Sequence, residues 1–290
     1  MRIGTWNVEF ANKARNPDRL AKLLEKDADI WVLTETHRDL NLSNAQYSPV
    51  MSEPRPQNAK AQDGSTWVTI WSRFPMIRRL NVPDPLRMVA AIFDAPLGPL
   101  TVSGVVLPWF SDIGDKPAHP PPSNWDEFRR VLREELPLLL LELRTQSDGA
   151  HIVLAGDFNC DLALPYNTGL AAEREHLKSV LETAALVCHT AKMPYPPTSS
   201  LRMLIDHVCT DLGPAVSIET WSGEDGIRPR LSDHPGVVVS WVKQRENPTT
   251  FVSVNEIRIQ AYYLWEKAGK PAGDGVPFWL EAERNFKKKT

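Results

Sequence analysis

Between residues 152 and 159 the sequence reads Ile-Val-Leu-Ala-Gly-Asp-Phe-Asn, an apolar run that ends in a carboxylate and a carboxamide two positions apart. Residues i and i+2 of an extended segment share a face, so Asp157 and Asn159 can point into one cleft beyond a sheet edge. There a carboxylate can take a proton or hold a metal-bound water, and an amide can donate to a phosphate oxygen. A Gly-Asp turn in which the Asp side chain caps its own backbone accounts for the same residues equally well. Other apolar runs bear on the choice because they end in the same manner. Asn7 closes RIGTWN, Glu35 closes WVLTE, Asp206 stands in MLIDHV, and Asp233 with His234 comes just before GVVVSWV. A polar group buried there without a partner would cost about 2–7 kcal/mol, so the repeated ending argues for a shared use. Together these residues offer hard oxygen ligands, amides and an imidazole, the set that magnesium-assisted cleavage of a phosphate ester requires. Parity sorts one further pair. In LIDHVCT, Asp206 and His207 must face opposite ways, so with Asp206 in the cleft His207 is expected as a packed histidine.

The elements that would position these residues are short and rich in β-branched side chains: RIGTWNV, ADIWVLTE, STWVTIW, MVAAIFDA, LTVSGVVL, HIVLAGD, RMLIDHVCT, AVSIETW and GVVVSWV. Nine strands in one domain call for two packed sheets. Helices stand between them at intervals. Asn16 is expected to cap one that has Pro17 at its first position, and Ser123 and Asp126 bracket a second, which Pro137 should kink. A third reads GLAAEREHLKSVLETAAL. This order does not alternate strictly enough for a doubly wound parallel sheet; two sheets face to face with helices outside fit better. After the polar linker KQRENPTT the pattern changes. Ser253 and Glu256 make a capping box, Ile257, Ala261, Leu264 and Trp265 share a helical face, Gly269 and Pro271 end the element, and a second helix, VPFWLEAERNF, follows. Two helices this short need a partner surface, so the tail is expected to dock on the main domain or on a protein partner.

Taken in order, Thr5-Trp6-Asn7, Thr34-Glu35-Thr36, Gly156-Asp157-Phe158-Asn159, Ile205-Asp206-His207 and Ser232-Asp233-His234 resemble the motifs of the endonuclease/exonuclease/phosphatase superfamily, across residues 1–243. The resemblance implies a four-layered α/β sandwich of two packed mixed sheets flanked by helices, with the site at one end of the sheets and a small helical appendage at 251–290. It also implies roles. Glu35 would be the principal Mg2+ or Mn2+ ligand, with Asn7 beside it and Asp233 completing the metal side. Asp157 would orient or deprotonate the attacking water, and Asn159 would bind the scissile phosphate. Asp206 would orient His234, which would contact the phosphate and stabilise its developing charge.

One departure stands out. Many members carry a His or Tyr at the end of the central strand, often in Asn-Thr-His, to donate a hydrogen bond to the phosphate; here Leu107, Pro108 and Trp109 occupy that stretch. His37 is a candidate replacement, with an exposed loop histidine as the equal alternative. Trp109 is a candidate for stacking on a base or sugar, against simple loop packing. Arg73, Arg202 and Arg228 are candidate phosphate clamps, against ordinary surface charges.

Composition leaves the substrate open. A formal charge of −3 gives no basic footprint for nucleic acid and does not exclude it. Three cysteines without a C-x-x-C pair support neither a disulfide frame nor a structural zinc site. No window approaches the roughly 20 apolar residues of a membrane span, and a cytoplasmic location is expected. The tail resembles a short helical domain of unknown function found mainly in bacterial proteins. The leading expectation is a phosphodiesterase of the nuclease kind, acting on DNA or RNA. A phosphatase or phospholipase acting on a small or lipid head-group phosphate stays open beside it, as does a non-catalytic binding module that keeps the fold.

Overall fold

The computed structural model describes residues 1–9, 13–55, 63–112, 124–166, 168–195, 203–223, 230–241, 254–271, 273 and 275–287. The chain divides into two compact units, Met1–Val242 and Lys243–Thr290. In the first, the apolar runs form the interior strands of two six-stranded sheets and the edge strand that AVSIETW supplies. One sheet is ordered β11 (Ser217–Trp221), β12 (Gly236–Ser240), β1 (Arg2–Asn7), β2 (Ile30–His37), β4 (Ser65–Ser72) and β3 (Ser48–Met51). The other runs β5 (Met76–Leu80), β6 (Met88–Ala95), β7 (Gly98–Val106), β8 (His151–Asp157), β10 (Asp206–Thr210) and β9 (Val187–Cys188). Each sheet has one parallel pair at its centre, β1 with β2 and β7 with β8, and is otherwise antiparallel.

Side-chain alternation makes the layers. Ile3, Ile30, Val32, Val68 and Ile70 of one sheet meet Val89, Ala91, Val102, Val153, Ala155 and Val208 of the other in the buried interior. The outward face of the first sheet, with Trp6, Trp31, Leu33 and Val238, is covered by Leu23 of α1 (Asn16–Lys26). Ile152, Leu154 and Cys209 of the second pack under Phe128 of α2 (Asp126–Arg130), Leu136, Leu139 and Leu143 of α3 (Leu136–Gln146), and Leu177 and Leu181 of α4 (Ala171–Thr183). This is the four-layered α/β sandwich.

Among the described residues twelve strands form where nine are expected. The three additional ones, β3, β5 and β9, are all edge strands. Edges avoid continuous apolar patterning, and these carry Pro49, the exposed Arg78 and Arg79, or only two residues. The helix starts also differ. Arg15, not Asn16, is the N-cap of α1; Asn16 lies within the helix and its side-chain oxygen accepts from Arg19 Nη1 at 2.9 Å. Between α2 and α3 the turns at Val131–Glu135 widen to a π-helix, just before Pro137 in the first turn of α3. The widening spares the carbonyl that the proline ring would otherwise strike. Ser123 and Ser253 lie outside the described residues.

Gly156 is required where it stands. Its φ is 136°, and an added Cβ would overlap the Val105 carbonyl oxygen of β7. Gly156→Ala is therefore expected to destabilise the first unit by about 3 kcal/mol or more, because neither backbone can yield. A lowered urea midpoint would show it; an unchanged midpoint would contradict the close approach.

In the second unit α5 (Val254–Lys267) and α6 (Val276–Lys287) bury Ala261 and Ala282. Trp265 Nε1 donates to the Pro271 carbonyl at 2.9 Å after the chain turns at Gly269, φ 82°. Among the described residues no helix is long and apolar enough to cross a membrane.

Candidate active site

Topology explains why distant residues meet. β1, β2 and β8 end at one rim of the sandwich, and their antiparallel neighbours β12 and β10 begin there. Asn7, Asp157 and Asp206 all have the parity of the interior face, in line with Ile3, Val153 with Ala155, and Val208. Asp206 is the register partner of Asp157, so the two carboxylates stand side by side. Across the gap between the sheets, Asn7 Nδ2 donates to Asp157 Oδ2 at 3.0 Å and to Glu35 Oε1 at 3.1 Å.

Glu35 reaches this point by breaking the alternation. Trp31 and Leu33 face the helix layer, and regular pleating would send Glu35 with them. Its backbone is instead left-handed, φ 51°, a conformation that costs a residue with a Cβ about 1–2 kcal/mol. Asn159 is also left-handed, φ 49°, beyond the end of β8. The i, i+2 argument therefore does not apply to it. Its backbone N–H donates to Asp157 Oδ1 at 2.9 Å and its Nδ2 donates to the Leu107 carbonyl at 2.8 Å. Both readings of the Gly-Asp-Phe-Asn stretch are thus partly right: an Asx turn caps the backbone, and the other oxygen of Asp157 looks into the site.

His234 is delivered by a braced loop. Ser232 Oγ donates to the Asn7 carbonyl at 2.6 Å and accepts the His234 N–H at 3.0 Å, while Trp6 Nε1 donates to the His234 carbonyl at 3.0 Å. Below it the buried Arg19 donates to the Leu231 carbonyl at 2.7 Å; burial lowers its pKa to about 10. His234 Nδ1 lies 2.6 Å from Asp206 Oδ2. Burial disfavours the imidazolium, yet the charges of Asp206 and Asp157 outweigh it and hold His234 well above its usual range. Burial and the charge of Asp206 push Asp157 up to about 7. One group is held as an acid and its neighbour as a base near neutrality, the separation that acid–base chemistry needs. Burial likewise raises Glu35, against the hydrogen bond from Asn7.

The donor set suits a hard divalent cation. One ligand atom each from Asp157, Asp206 and His234 lie within 4.8 Å of one another. Asp206 Oδ1 is buried with no partner among the described residues, a vacancy that a cation or its water would satisfy. Glu35 stands one amide away. Asn7 presents its nitrogen, since its oxygen accepts the Glu9 N–H at 3.0 Å, so it links the carboxylates and does not face them as an oxygen ligand. Asp233 is half exposed, 3.6 Å from Arg230. A divalent ion here would supply charge to a phosphate oxygen and acidify a water.

Two expectations, those for Arg73 and His37, need correction. Arg73 lies just beyond β4, against the start of β2, at the opposite end of the sheet from Glu35; it pairs with Asp27 at 2.6 Å over the Tyr47 ring. His37 is buried, with Nε2 donating to the Asp63 carbonyl at 2.8 Å and Nδ1 accepting from the Asp39 N–H at 3.1 Å, so both nitrogens are used. His207 faces away from the site, bonded to Thr190 Oγ1 at 2.9 Å and the Cys160 carbonyl at 3.0 Å, as parity requires. Trp109 stands past the end of β7 on the rim that carries Asp157, its ring 5.6 Å from Trp67 and its Nε1 donating to Ser111 at 3.1 Å. Arg202 and Arg228 lie outside the described residues.

Tyr195 was not visible in the sequence, where it is one aromatic in a proline-rich loop. Its ring is buried in the interior, its hydroxyl has no partner among the described residues, and burial followed by the charges of Asp206, Asp157 and Asp233 raises its pKa. It brings a phenol near the carboxylates, on the rim where the central strand offers only Leu107.

Comparison with known proteins gives the family and the fold. The sequence profile of the Endonuclease/Exonuclease/phosphatase family matches residues 4–234, and that of a protein of unknown function, DUF2934, matches residues 255–287. No curated protein matches the sequence significantly. Among solved structures, a 3′-5′ exonuclease from Neisseria meningitidis is similar with TM-score 0.62 at 20% identity, covering 83% of this chain and 99% of its own. A 3′ phosphatase from Neisseria bound to a product DNA hairpin gives 0.61 at 19%, with coverage of 83% and 99%. An AP endonuclease from Archaeoglobus fulgidus gives 0.61 at 17%, again with 83% and 99%. At these identities the likeness is one of fold.

Proposed function

Because residues 4–234 place this chain in the Endonuclease/Exonuclease/phosphatase family of metal-dependent phosphoesterases, we propose that it is a phosphodiesterase of the nuclease kind. Its catalytic domain would span residues 1–243, with the helices at 251–290 as a separate domain. The observation that carries this reading is the meeting of Asn7, Glu35, Asp157, Asp206 and His234 at one rim, from four strands and a loop spread over more than two hundred residues.

In the proposed chemistry Glu35, with Asp233 nearby, would hold Mg2+ or Mn2+, which would supply positive charge to a phosphate oxygen. Asp157, raised toward neutrality, takes a proton from the attacking water. Asp206 would orient His234 and keep its ring protonated, and Nε2, which has no partner among the described residues, would donate to a phosphate oxygen. Asn159 holds the Leu107 backbone at the site's floor, and its remaining N–H can reach a phosphate. DNA or RNA is the favoured substrate class: Trp109 lies on the same rim as a stacking surface, and the fold is shared with a 3′ phosphatase solved with a DNA hairpin. A phosphatase or phospholipase would use the same residues.

The test is a panel of bis-p-nitrophenyl phosphate, single- and double-stranded DNA, RNA, inositol phosphates and phospholipid head groups. With Mg2+ or Mn2+ a phosphodiester should be cleaved, and a chelator should abolish turnover until metal is restored. Nucleic-acid cleavage should also fall steeply with salt if backbone phosphates are gripped by basic side chains. No metal-dependent turnover on any member would favour the binding module; turnover confined to monoesters or head groups would favour the phosphatase or phospholipase reading.

A further inference from the structure

On the helix-covered face of the second sheet, away from the carboxylates, lies a group that the phosphoesterase reading does not use. Cys188 on the two-residue edge strand β9 is the register partner of Cys209 on β10. The next pair along, His189 with Val208, carries the ladder bond from His189 N–H to the Val208 carbonyl at 3.0 Å. Cys188 and Cys209 are therefore a non-hydrogen-bonded pair, the kind in which Cα atoms approach to about 4.5 Å. That spacing falls within the range disulfides span, about 4.4–6.8 Å. Both side chains point to the same side, Cys209 in the helix-facing core and Cys188 packed against it. Both are free thiols in this structure.

The surroundings favour reaction at one sulfur. Cys209 is fully buried, whereas Cys188 is partly exposed at the open edge of the sheet. His207, two residues before Cys209 and on the same face, sits beside Cys188, and Thr190 Oγ1 stands 2.9 Å from His207 Nδ1 and 3.7 Å from Cys188 Sγ. Burial opposes ionisation of Cys188, but the hydrogen bond from Cys209 and the nearby His207 outweigh it and draw its pKa well below the usual thiol value. Burial and the charge of Cys188 hold the proton on Cys209. Cys160 is the contrast. It is fully buried, and burial pushes its thiol up to about 12.

We propose that Cys188 and Cys209 form a peroxide-oxidisable dithiol that closes to a cross-strand disulfide between β9 and β10. The Cys188 thiolate attacks one oxygen of hydrogen peroxide; the O–O bond breaks, the departing hydroxide is protonated to water, and Cys188 becomes a sulfenic acid. Cys209 gives up its proton and attacks the Cys188 sulfur, the S–O bond breaks, and the second oxygen leaves as water. Two thiols are oxidised by two electrons and one peroxide is reduced to two waters. The bridge would clamp the edge strand onto β10 three residues from Asp206, independently of whether the rim hydrolyses phosphate esters.

The full chain, treated with a small molar excess of hydrogen peroxide, alkylated and digested without reductant, tests this by peptide mass spectrometry. Expected is one linked pair of peptides containing Cys188 and Cys209, lighter by two hydrogens than the sum of the free peptides and lost on treatment with dithiothreitol. Cys160 should remain alkylatable only after unfolding. In Cys209→Ser, Cys188 should stop at the sulfenic acid and be trapped by dimedone; in Cys188→Ser no link should form. Cys188 left as a free thiol, Cys188 driven to sulfinic acid beside a free Cys209, or a link only between two chains would each overturn the proposal.

Discussion

Replacing His234 by Ala is expected to lower kcat on a metal-supported phosphodiester by about 10³-fold, close to 4 kcal/mol of barrier, with metal affinity nearly unchanged. The size follows from what the side chain loses. Its Nδ1 is fixed by Asp206 at 2.6 Å, and the charges of Asp206 and Asp157 keep the ring in its protonated form despite burial. A preformed cation beside a phosphate acquiring negative charge is stabilising mainly in the transition state, so kcat falls more than KM changes. Asp206→Asn should act through the same ring, since an amide in that place no longer holds the imidazolium protonated, and a loss of about 10²–10⁴-fold is expected. Steady-state kinetics with saturating Mg2+ or Mn2+ would decide it. If His234→Ala keeps activity within threefold of the parent, the Asp206–His234 pair is not part of the chemistry.

The second large effect is expected at Glu35. Glu35→Gln keeps the shape and the acceptor for Asn7 Nδ2 but removes the charge, and should weaken Mn2+ or Mg2+ binding by about 10²-fold in a calorimetric titration. Glu35→Gly should separate function from folding. Glycine adopts the left-handed backbone freely, so this variant is expected to gain about 1 kcal/mol of folding stability while losing turnover. The alternative is a cation seated among Asp157, Asp206 and His234, whose donor atoms lie within 4.8 Å of one another. In that event Asp206→Asn, not Glu35→Gln, would abolish metal binding, and the assignment of Glu35 would be wrong.

The interior of this fold was readable because its strands are buried on both sides. RIGTWN, WVLTE and HIVLAGD announce themselves by continuous apolar character, and the polar residue at each end marks the rim. Of the edge strands only β11, within AVSIETW, gave such a signal; β3, β5 and β9 did not. Met76–Leu80 is exposed over four of its five residues, and only its pairing with β6 makes it a strand. The site was readable wherever alternation held, as at Asp206 and His207, and misread wherever direction or backbone hand mattered. Arg73 is a candidate phosphate clamp by residue type alone, but β4 runs antiparallel to β2 and carries it to the far end. The left-handed turn at Glu35 leaves no mark in residue type that would distinguish it from regular strand, whereas Asn159 is of a type that tolerates that conformation. Tyr195 depends on a loop whose path is set by tertiary packing, as the bridge between Pro194 and Met203 illustrates.

The first strand of the large unit pairs with its last, Arg2 opposite Ser240 and Thr5 opposite Val237. During synthesis Asn7 emerges 227 residues ahead of His234, a delay of roughly 10–45 s at 5–20 residues per second. Throughout that interval the unfinished polypeptide lacks the imidazole, and the edge of its opening strand that β12 will cover is unfilled. A rim wired in this way is complete only once the ribosome has delivered the last strand of the large unit.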